Sequence, residues 1–212
     1  MRKFVSIALI AFLSSSALMA QDLKPVRLPA PDTTGGKPLM QALKERRTSR
    51  SFSGEKLPLQ VLSNLLWAAF GVNRPDGHRT APSAMNWQEI DVYCAMEDGL
   101  YLYDAKENVL SPVLGGDIRE KTGSQGFVKD APLDLVYVAD LSKTGRAKGE
   151  DQILYTSADA GFIAQNVYLY CASEGLAAVV RGTVDRGALS KAMNLRADQK
   201  IVLSQTVGYP KK

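Results

Sequence analysis

The residues best suited to chemistry lie in one basic stretch, Leu39–Phe52, which reads LMQALKERRTSRSF. A short amphipathic run leads into cations interspersed with hydroxyl residues: Lys44, Arg46, Arg47 and Arg50, with Thr48, Ser49 and Ser51. Residues three or four apart share one face of a helix, so a helix through this stretch would direct Arg46 and Arg50 at one ligand. Guanidinium groups beside hydroxyls suit a phosphate or another oxyanion. The alternative from these residues alone is a solvated basic helix end.

A second stretch, Arg79–Gln88, reads RTAPSAMNWQ and combines a hydroxyl with two amides in a proline-containing turn. Its polar side chains are those of Ser83, Asn86 and Gln88. Amide side chains both donate and accept hydrogen bonds, which suits the edge of a heterocycle. The alternative is structural, with the Ser83 hydroxyl capping a helix.

Two more stretches lie at the ends of predicted strands. Ala178–Gly182 (AVVRG) ends a buried strand with a glycine, which lets the backbone approach a ligand closely. Gly208–Lys212 (GYPKK) leaves two lysines just beyond the last predicted strand. A frayed basic tail is the alternative for that last stretch.

The elements that must position these four stretches form a mixed pattern. Strands are predicted by apolar alternation or by apolar runs at Glu89–Met96, Gly99–Asp104 with a return through Val109 and Leu110, Leu133–Leu141, Ala177–Val180 and Lys200–Val207. Helices are predicted from Pro58 to Gly71, over Asp151–Glu174 with Gly175 closing it, and over Arg186–Met193. Because strands and helices mix without strict βαβ alternation, we expect one α+β domain.

Length and composition are ordinary for a globular protein. The chain has 212 residues, of which 45% are hydrophobic and 23% charged, enough to bury a sizeable core. The net charge is +4, and it falls to +2 without Arg2 and Lys3. That excess is too small to indicate nucleic-acid binding or a membrane-surface protein on charge alone.

The first twenty residues have the pattern of an export signal. A basic start at Arg2 and Lys3 precedes an apolar run, Phe4–Leu13, and a small-residue tail, Ser14–Ala20. The apolar run is too short for a membrane span. We therefore expect a protein exported to a bacterial periplasm and free of the membrane once residues 1–20 are removed. Residues 21–37, rich in Pro, Gly and Thr, are predicted to form an extended arm, and residues 38–212 the domain.

Cysteine and histidine offer little catalytic chemistry. Cys94 alternates with apolar residues of a predicted strand and Cys171 lies in a long apolar helix, so both fit as buried free thiols rather than a disulfide. His78 is the only histidine and lies in a polar loop. We expect no metal site, and a Ser-His-Asp triad has little support.

Taken together, these stretches resemble the nitroreductase family of flavoproteins, and most closely its SagB-type dehydrogenase branch. The resemblance rests on six features in the family's order: RRTSRSF at 46–52, LLWAAFG at 65–71, RTAPS at 79–83, AQN at 164–166, Gly175-Leu176 ahead of VRG at 180–182, and VGYP at 207–210. It implies an FMN-binding α+β fold in which helices flank a central, mostly antiparallel sheet. It also implies an intertwined homodimer with two flavin sites at the subunit interface.

The resemblance also assigns roles to single residues. Arg46 and Thr48 match phosphate and ribityl contacts, and Arg50 matches a cation near the pyrimidine edge of the flavin. Ser83 and Asn86 match a loop that reaches the ring from the partner subunit. The cofactor-binding set it implies is Arg46, Arg47, Thr48, Arg50, Ser83, Ala84, Asn86, Val180, Arg181, Gly182 and Lys211. Within that set Arg181 and Gly182 match backbone contacts near the flavin N5, and Lys211 matches a second phosphate cation. No residue is expected to be catalytic itself; Arg50 is expected to stabilise the reduced flavin.

This sequence departs from the SagB-type pattern at two places. Met85–Gln88 (MNWQ) is closer to classical nitroreductases, and Arg181 replaces an acidic residue common there. The expected activity is hydride transfer from NAD(P)H or another small-molecule donor to an acceptor such as a nitroaromatic or quinone. Two alternatives remain: a non-catalytic flavin-binding or flavin-scavenging protein, and a SagB-like dehydrogenase acting on a peptide heterocycle.

Overall fold

A seven-stranded sheet organises residues 23–211, the part of the chain that the computed structural model describes. Its strands are β1 (Val26–Arg27), β2 (Ile90–Ala95), β3 (Gly99–Asp104), β4 (Val109–Gly115), β5 (Leu133–Asp140), β6 (Ala177–Arg181) and β7 (Gln199–Gly208). They lie in the order β1-β4-β3-β2-β5-β7-β6, and neighbouring strands pair antiparallel. The α-helices are α1 (Leu39–Glu45), α2 (Leu59–Phe70), α3 (Gly149–Glu174) and α4 (Arg186–Ala192). The predicted α+β class with a mostly antiparallel central sheet is confirmed.

Strand β5 is buried along its whole length because cores cover both of its faces. Leu135 and Tyr137 belong to a core shared with α2 and α3, whereas Val136 and Val138 belong to a second core that includes Leu189 of α4. The two-residue period of a strand produces this division. The near-continuous apolar run in the sequence follows from burial on both faces.

Helix α3 crosses one face of the sheet and ends at Gly175, whose φ of 71° lies in the left-handed region that suits a residue without Cβ. Its buried positions include Ile163, Val167 and Cys171. Its N-terminal half instead exposes four large apolar side chains: Ile153 (66%), Leu154 (61%), Tyr155 (41%) and Phe162 (47%). A single chain therefore does not bury this helix on the several sides that its composition predicts.

The basic stretch does not continue as a helix. Helix α1 ends at Glu45, and Arg46 has an extended ψ of 122°, so the expectation that Arg46 and Arg50 share a helical face is wrong. Backbone partners from distant parts of the chain replace the helical hydrogen bonds. Ser49 N–H donates to the carbonyl of Ala178 at 2.9 Å, and Ser53 N–H to that of Tyr209 at 2.9 Å. A β-bridge joins Phe52 to Pro210, and Lys211 N–H donates to the Ser51 carbonyl at 3.3 Å.

The described part of the N-terminal arm, residues 23–37, lies along the domain and supplies the short edge strand β1. The Ser63 hydroxyl donates to the Pro29 carbonyl at 2.6 Å, and Leu28 is buried in the core. The predicted export signal, residues 1–20, lies outside the described residues. The division of the chain after residue 20 and after residue 37 therefore stays a prediction.

The other predicted elements lie where the patterns place them, with small differences. Strand β4 runs on to Gly115, well beyond the predicted return through Val109 and Leu110, because it pairs with β3 along that whole length. Cys94 and Cys171 are both buried free thiols, and burial raises the pKa of each. Neither thiol therefore has the thiolate character that a nucleophile needs.

Candidate functional site

A cavity of about 530 Å³ opens between the end of α1, the C-terminal half of α3 and the start of β6. Its volume lies within the roughly 300–1,000 Å³ typical of small-molecule sites. The charged residues that line it are Lys37, Lys44, Glu45, Arg46 and Arg47. Lys37 pairs with Glu45 at 2.6 Å, so the balance of the lining is positive. An anionic group is the ligand that this lining favours.

Tyr168 of α3 lines the same cavity and connects α3 to β6 and to the basic stretch. The sequence patterns did not single it out. Its hydroxyl lies 2.8 Å from the backbone nitrogen of Val180 and 3.1 Å from Thr48 Oγ1. The Arg46 guanidinium lies over its ring, 5.4 Å from the centroid. Helical spacing offered a signal, since residues 164, 168 and 171 share the face that points to the sheet.

Of the predicted cofactor-binding residues, Arg46 and Arg47 line the cavity, and Thr48 lies beside Tyr168. Pro210 also lines it, so the last described residue, Lys211, follows directly on the cavity wall. Arg50 and Lys211 are both exposed. The structure thus brings the predicted cations from the two ends of the domain to one region through the pairing of Phe52 with Pro210.

The Arg181 side chain points away from this cavity, into the interior. Its Nη2 lies 2.8 Å from Asp134 Oδ1, and Nη1 donates to the Thr122 carbonyl at 2.5 Å. A Cβ on Gly123 would lie 1.8 Å from Arg181 Nη1, so this contact requires glycine there. Burial raises the pKa of Asp134 to about 7, and the guanidinium and the Thr206 hydroxyl oppose that rise. The Arg181 side chain is therefore unavailable to a ligand in the cavity, and its backbone lies opposite Ser204 of β7.

The other two candidate residues at the end of β6, Val180 and Gly182, differ in which backbone groups already have a hydrogen-bond partner. Val180 N–H is already used, since it donates to the Tyr168 hydroxyl at 2.8 Å. Gly182 is exposed, and its carbonyl accepts a hydrogen bond from Arg186 Nη1 at 3.2 Å. Backbone groups of alternate residues in an antiparallel strand point to opposite sides, so Arg181 N–H points to its partner Ser204 of β7. Gly182 N–H is therefore the one to test as a ligand donor.

Ser83, Ala84 and Asn86 lie elsewhere, against the N-terminal half of α3. Ala84 N–H donates to Asp159 Oδ2 at 2.9 Å. Asp159 precedes Tyr168 by nine helical positions, about 13 Å along the axis. Within one chain the structure therefore does not bring this loop to the cavity. The Ser83 hydroxyl accepts from Gln88 N–H at 3.0 Å instead of capping the short 3₁₀ turn Ala84–Asn86.

This loop carries backbone strain and rests on a buried acid. Met85, Asn86 and Gln88 have φ of 49°, 53° and 48°, in the left-handed region that non-glycine residues rarely adopt. The next residue, Glu89, is fully buried, and its carboxyl oxygens have no hydrogen-bond partner among the described residues. Burial, aided by the neighbouring Asp159, raises the pKa of Glu89 to about 7, while Lys143 opposes the rise.

Comparison with known proteins identifies the family. A family model for the nitroreductase family matches residues 43–209, which span both the cavity and the strained loop. The chain belongs to the nitroreductase family. A candidate nitroreductase of Methanocaldococcus jannaschii is 32% identical over 160 residues, covering 71% of this chain and 78% of that protein. Nitroreductases are flavoproteins, so the family makes this chain a flavin oxidoreductase in the general sense.

Solved structures of nitroreductases share the fold. A candidate nitroreductase from Ralstonia eutropha JMP134 superposes with a TM-score of 0.85 at 46% identity, covering 89% of this chain and 90% of that one. A candidate nitroreductase from Desulfovibrio desulfuricans, crystallised in complex with FMN, gives a TM-score of 0.61 at 20% identity, covering 84% and 89%. The second likeness shows the fold alone.

The lining of the cavity fits a ligand with a phosphate group and an uncharged ring better than it fits a metal ion. The cavity pairs a cationic mouth with apolar walls from Leu176, Ala177 and Cys171. Among residues 23–211, no three His, Cys, Asp or Glu side chains are grouped to hold a metal ion. In the same range, no helix combines the length and the apolar character needed to cross a bilayer.

Proposed function

We propose that this nitroreductase is an FMN-dependent oxidoreductase that passes hydride equivalents from a small-molecule donor to a small-molecule acceptor. The observation that carries the proposal is the cation-lined cavity of about 530 Å³ at the end of α1, within a chain of this family. Arg46 and Arg47, which line this cavity, are cations that suit the single phosphate of FMN. The sequence has no glycine-rich dinucleotide fingerprint that would favour FAD.

Each side chain then has a defined task. FMN, when bound, supplies the hydride chemistry, so no side chain needs to be a nucleophile. Arg46, Arg47 and Lys211 neutralise the phosphate, and Thr48 donates a hydrogen bond to it. Arg50 is the cation that stabilises the negative charge of the reduced ring. The backbone N–H of Gly182 approaches the ring at the end of β6.

A homodimer completes the site in this proposal. The Ser83–Asn86 loop lies against α3 far from its own cavity, which suits a loop that serves the cavity of a partner subunit. The same end of α3 exposes Ile153, Leu154 and Phe162, apolar area that a second chain would remove from water. Helix α1 beside the cavity exposes Leu39 (63%) and Met40 (76%) as well. Symmetric dimers are the commonest homo-oligomers.

The purified protein tests this function directly. We expect a flavin absorbance spectrum, FMN as the flavin released on denaturation, and bleaching of that spectrum on anaerobic addition of NADH or NADPH. Nitroaromatics or quinones should restore the oxidised spectrum. FAD as the main flavin, or no uptake of added FMN, would refute the proposal. Bound FMN that neither nicotinamide reduces would support the flavin-binding or scavenging alternative, and oxidation of a peptide heterocycle the SagB-like one.

We also propose that the protein works after export. The support is the basic start at Arg2 and Lys3 followed by the apolar run Phe4–Leu13. The N-terminal sequence of the protein purified from the native cell should begin after residue 17 or 20. A mature chain that still begins at Met1 and fractionates with cytoplasmic markers would contradict export.

A further inference from the structure

A directed chain of hydrogen bonds runs from strand β6 through α3 to the basic stretch. Its first member is fixed, because a backbone N–H only donates: Val180 N–H donates to the Tyr168 hydroxyl oxygen at 2.8 Å. A phenol has one proton, and its other neighbour is Thr48 Oγ1 at 3.1 Å. Either hydroxyl can donate in this 3.1 Å contact; with Tyr168 as the donor, its proton points at Thr48.

The last member of the chain then has its own proton free. Once Thr48 Oγ1 accepts from Tyr168, the threonine hydroxyl is left to donate, and an acceptor in the cavity is the partner it lacks. Hydrogen bonds in such a series polarise one another, so acceptance from Val180 strengthens Tyr168 as a donor and Thr48 after it. The chain thus leaves a polarised O–H on Thr48, beside Tyr168, which lines the cavity.

The same tyrosine also orients a cation. Arg46 follows the last residue of α1; its N–H still donates to the Ala42 carbonyl at 2.9 Å, but its ψ of 122° leads the chain out of the helix. Its guanidinium lies over the Tyr168 ring at 5.4 Å, an arrangement in which the ring face attracts the cation. One half-buried side chain therefore touches both groups that are placed to bind an anion, Thr48 through its hydroxyl and Arg46 through its ring face.

We propose that Tyr168 is a positioning residue that sets Thr48 as a hydrogen-bond donor, and Arg46 as a cation, toward the phosphate of the ligand in this cavity. The proposal rests on the proposed function, in which that ligand is FMN. It assigns to Tyr168 a part in phosphate recognition rather than in ring binding, and this distinction makes it testable.

The test compares FMN with riboflavin, which has the same ring without the phosphate. In the full-length protein, Tyr168→Phe removes the hydroxyl and keeps the ring. We expect its Kd for FMN, measured by fluorescence titration, to rise roughly tenfold, because Thr48 is no longer held as a hydrogen-bond donor to the charged phosphate. Its Kd for riboflavin should change less than about twofold. The matched control is Tyr170→Phe on the same helix, whose hydroxyl bonds the Val61 carbonyl at 3.3 Å; both of its affinities should stay unchanged.

A double-mutant cycle checks the route through Thr48. If Tyr168 acts by orienting Thr48, then Thr48→Val together with Tyr168→Phe should lose little more FMN affinity than the worse single variant. If the losses of FMN binding free energy in the two single variants add in full in the double variant, Tyr168 does not act through Thr48. An equal fall in riboflavin affinity, or a Tyr168→Phe protein that binds FMN as the parent does, would overturn the positioning role while leaving the FMN function intact. A parent that binds neither compound would refute both.

Discussion

The guanidinium of Arg181 and the carboxylate of Asp134 form an ion pair inside the domain, 2.8 Å apart and with side chains only 3% and 0% exposed. The pair joins the last residue of β6 to β5, and through Thr122 it also holds the connection between β4 and β5. That connection runs from residue 116 to residue 132. The end of β6 and this connection are therefore anchored by one side chain.

Removing one partner of this buried ion pair should destabilise the fold strongly. We expect Asp134→Ala to lower the free energy of unfolding by about 3–5 kcal/mol, since it leaves the Arg181 charge buried without a partner. Urea unfolding followed by circular dichroism measures the change. The double variant Asp134→Leu with Arg181→Met should be less damaged than Asp134→Ala, because neither charge remains.

An exposed ion pair provides the matched control. Lys56 and Glu97 lie 2.9 Å apart but with side chains 80% and 61% exposed, so Glu97→Ala should leave the unfolding midpoint almost unchanged. Equal effects of Asp134→Ala and Glu97→Ala would show that burial does not give the interior pair its importance.

Arg46 is expected to contribute directly to cofactor affinity. Replacing Arg46 by Ala should weaken FMN binding by about 1.5–3 kcal/mol, the range for one charge-assisted hydrogen bond. Arg74→Ala, in the exposed loop after α2, is the control and should bind FMN as the parent does. Isothermal titration with FMN measures both. An Arg46→Ala protein with the parent's affinity would remove this residue from the site.

Arg50 is expected to act on the flavin potential rather than on binding. Two-electron reduction places negative charge near N1 of the ring, and a fixed guanidinium there stabilises the reduced form more than the oxidised one. Arg50→Met should therefore still bind oxidised FMN but have a more negative potential. Loss of about 1.4 kcal/mol corresponds to roughly 30 mV for a two-electron couple. A spectroelectrochemical potential within a few millivolts of the parent would mean that Arg50 is only a surface cation.

Glu89 should make stability depend on pH. Its pKa in the folded protein is about 7, raised from an ordinary value near 4.5 by burial and by Asp159. Between these values the unfolded chain releases the proton while the folded chain keeps it, so stability should fall as pH rises from about 4.5 to about 7 and then level off. Glu89→Gln stays neutral and should remove this part of the slope.

Urea midpoints at pH 5 and pH 8 measure the Glu89 effect. The control is Glu107→Gln, at an exposed position of the turn between β3 and β4, which should keep the parent's slope. A Glu89→Gln protein whose midpoints shift with pH as much as the parent's would disprove the assignment.

The exposed end of α3 predicts the oligomeric state. We expect light scattering to give about twice the mass of one chain, and Phe162→Asp to shift the protein toward monomer, because it places a charge in the proposed interface. Val113→Asp changes a comparably exposed residue on β4, 42% exposed against 47%, and should remain dimeric. A parent mass near the 23.0 kDa of a single full-length chain would contradict the dimer.

Local patterns predicted most of the fold. The apolar run at 133–141 and the glycine at 175 identified β5 and the end of α3 because burial and backbone conformation act on neighbouring residues. The cations of the site were found by type and spacing. The prediction that a helix brings Arg46 and Arg50 onto one face was wrong. The backbone of residues 49–53 instead pairs with β6 and with the residues after β7. Tyr168 was missed for a related reason, since Thr48 lies 120 residues away from it in sequence.

The pairing of Phe52 with Pro210 also fixes when the cavity can form. A chain emerges from the ribosome with its N-terminus first, so the basic segment is made long before its backbone partners at 209–211. Contacts of such long sequence separation form late in folding, because much of the chain must be ordered before the ends meet. The cations of the basic segment therefore have no fixed arrangement on a nascent chain. A protein truncated just before Tyr209 would keep Arg46, Arg47 and Arg50, yet lose the backbone partners that hold this segment in place.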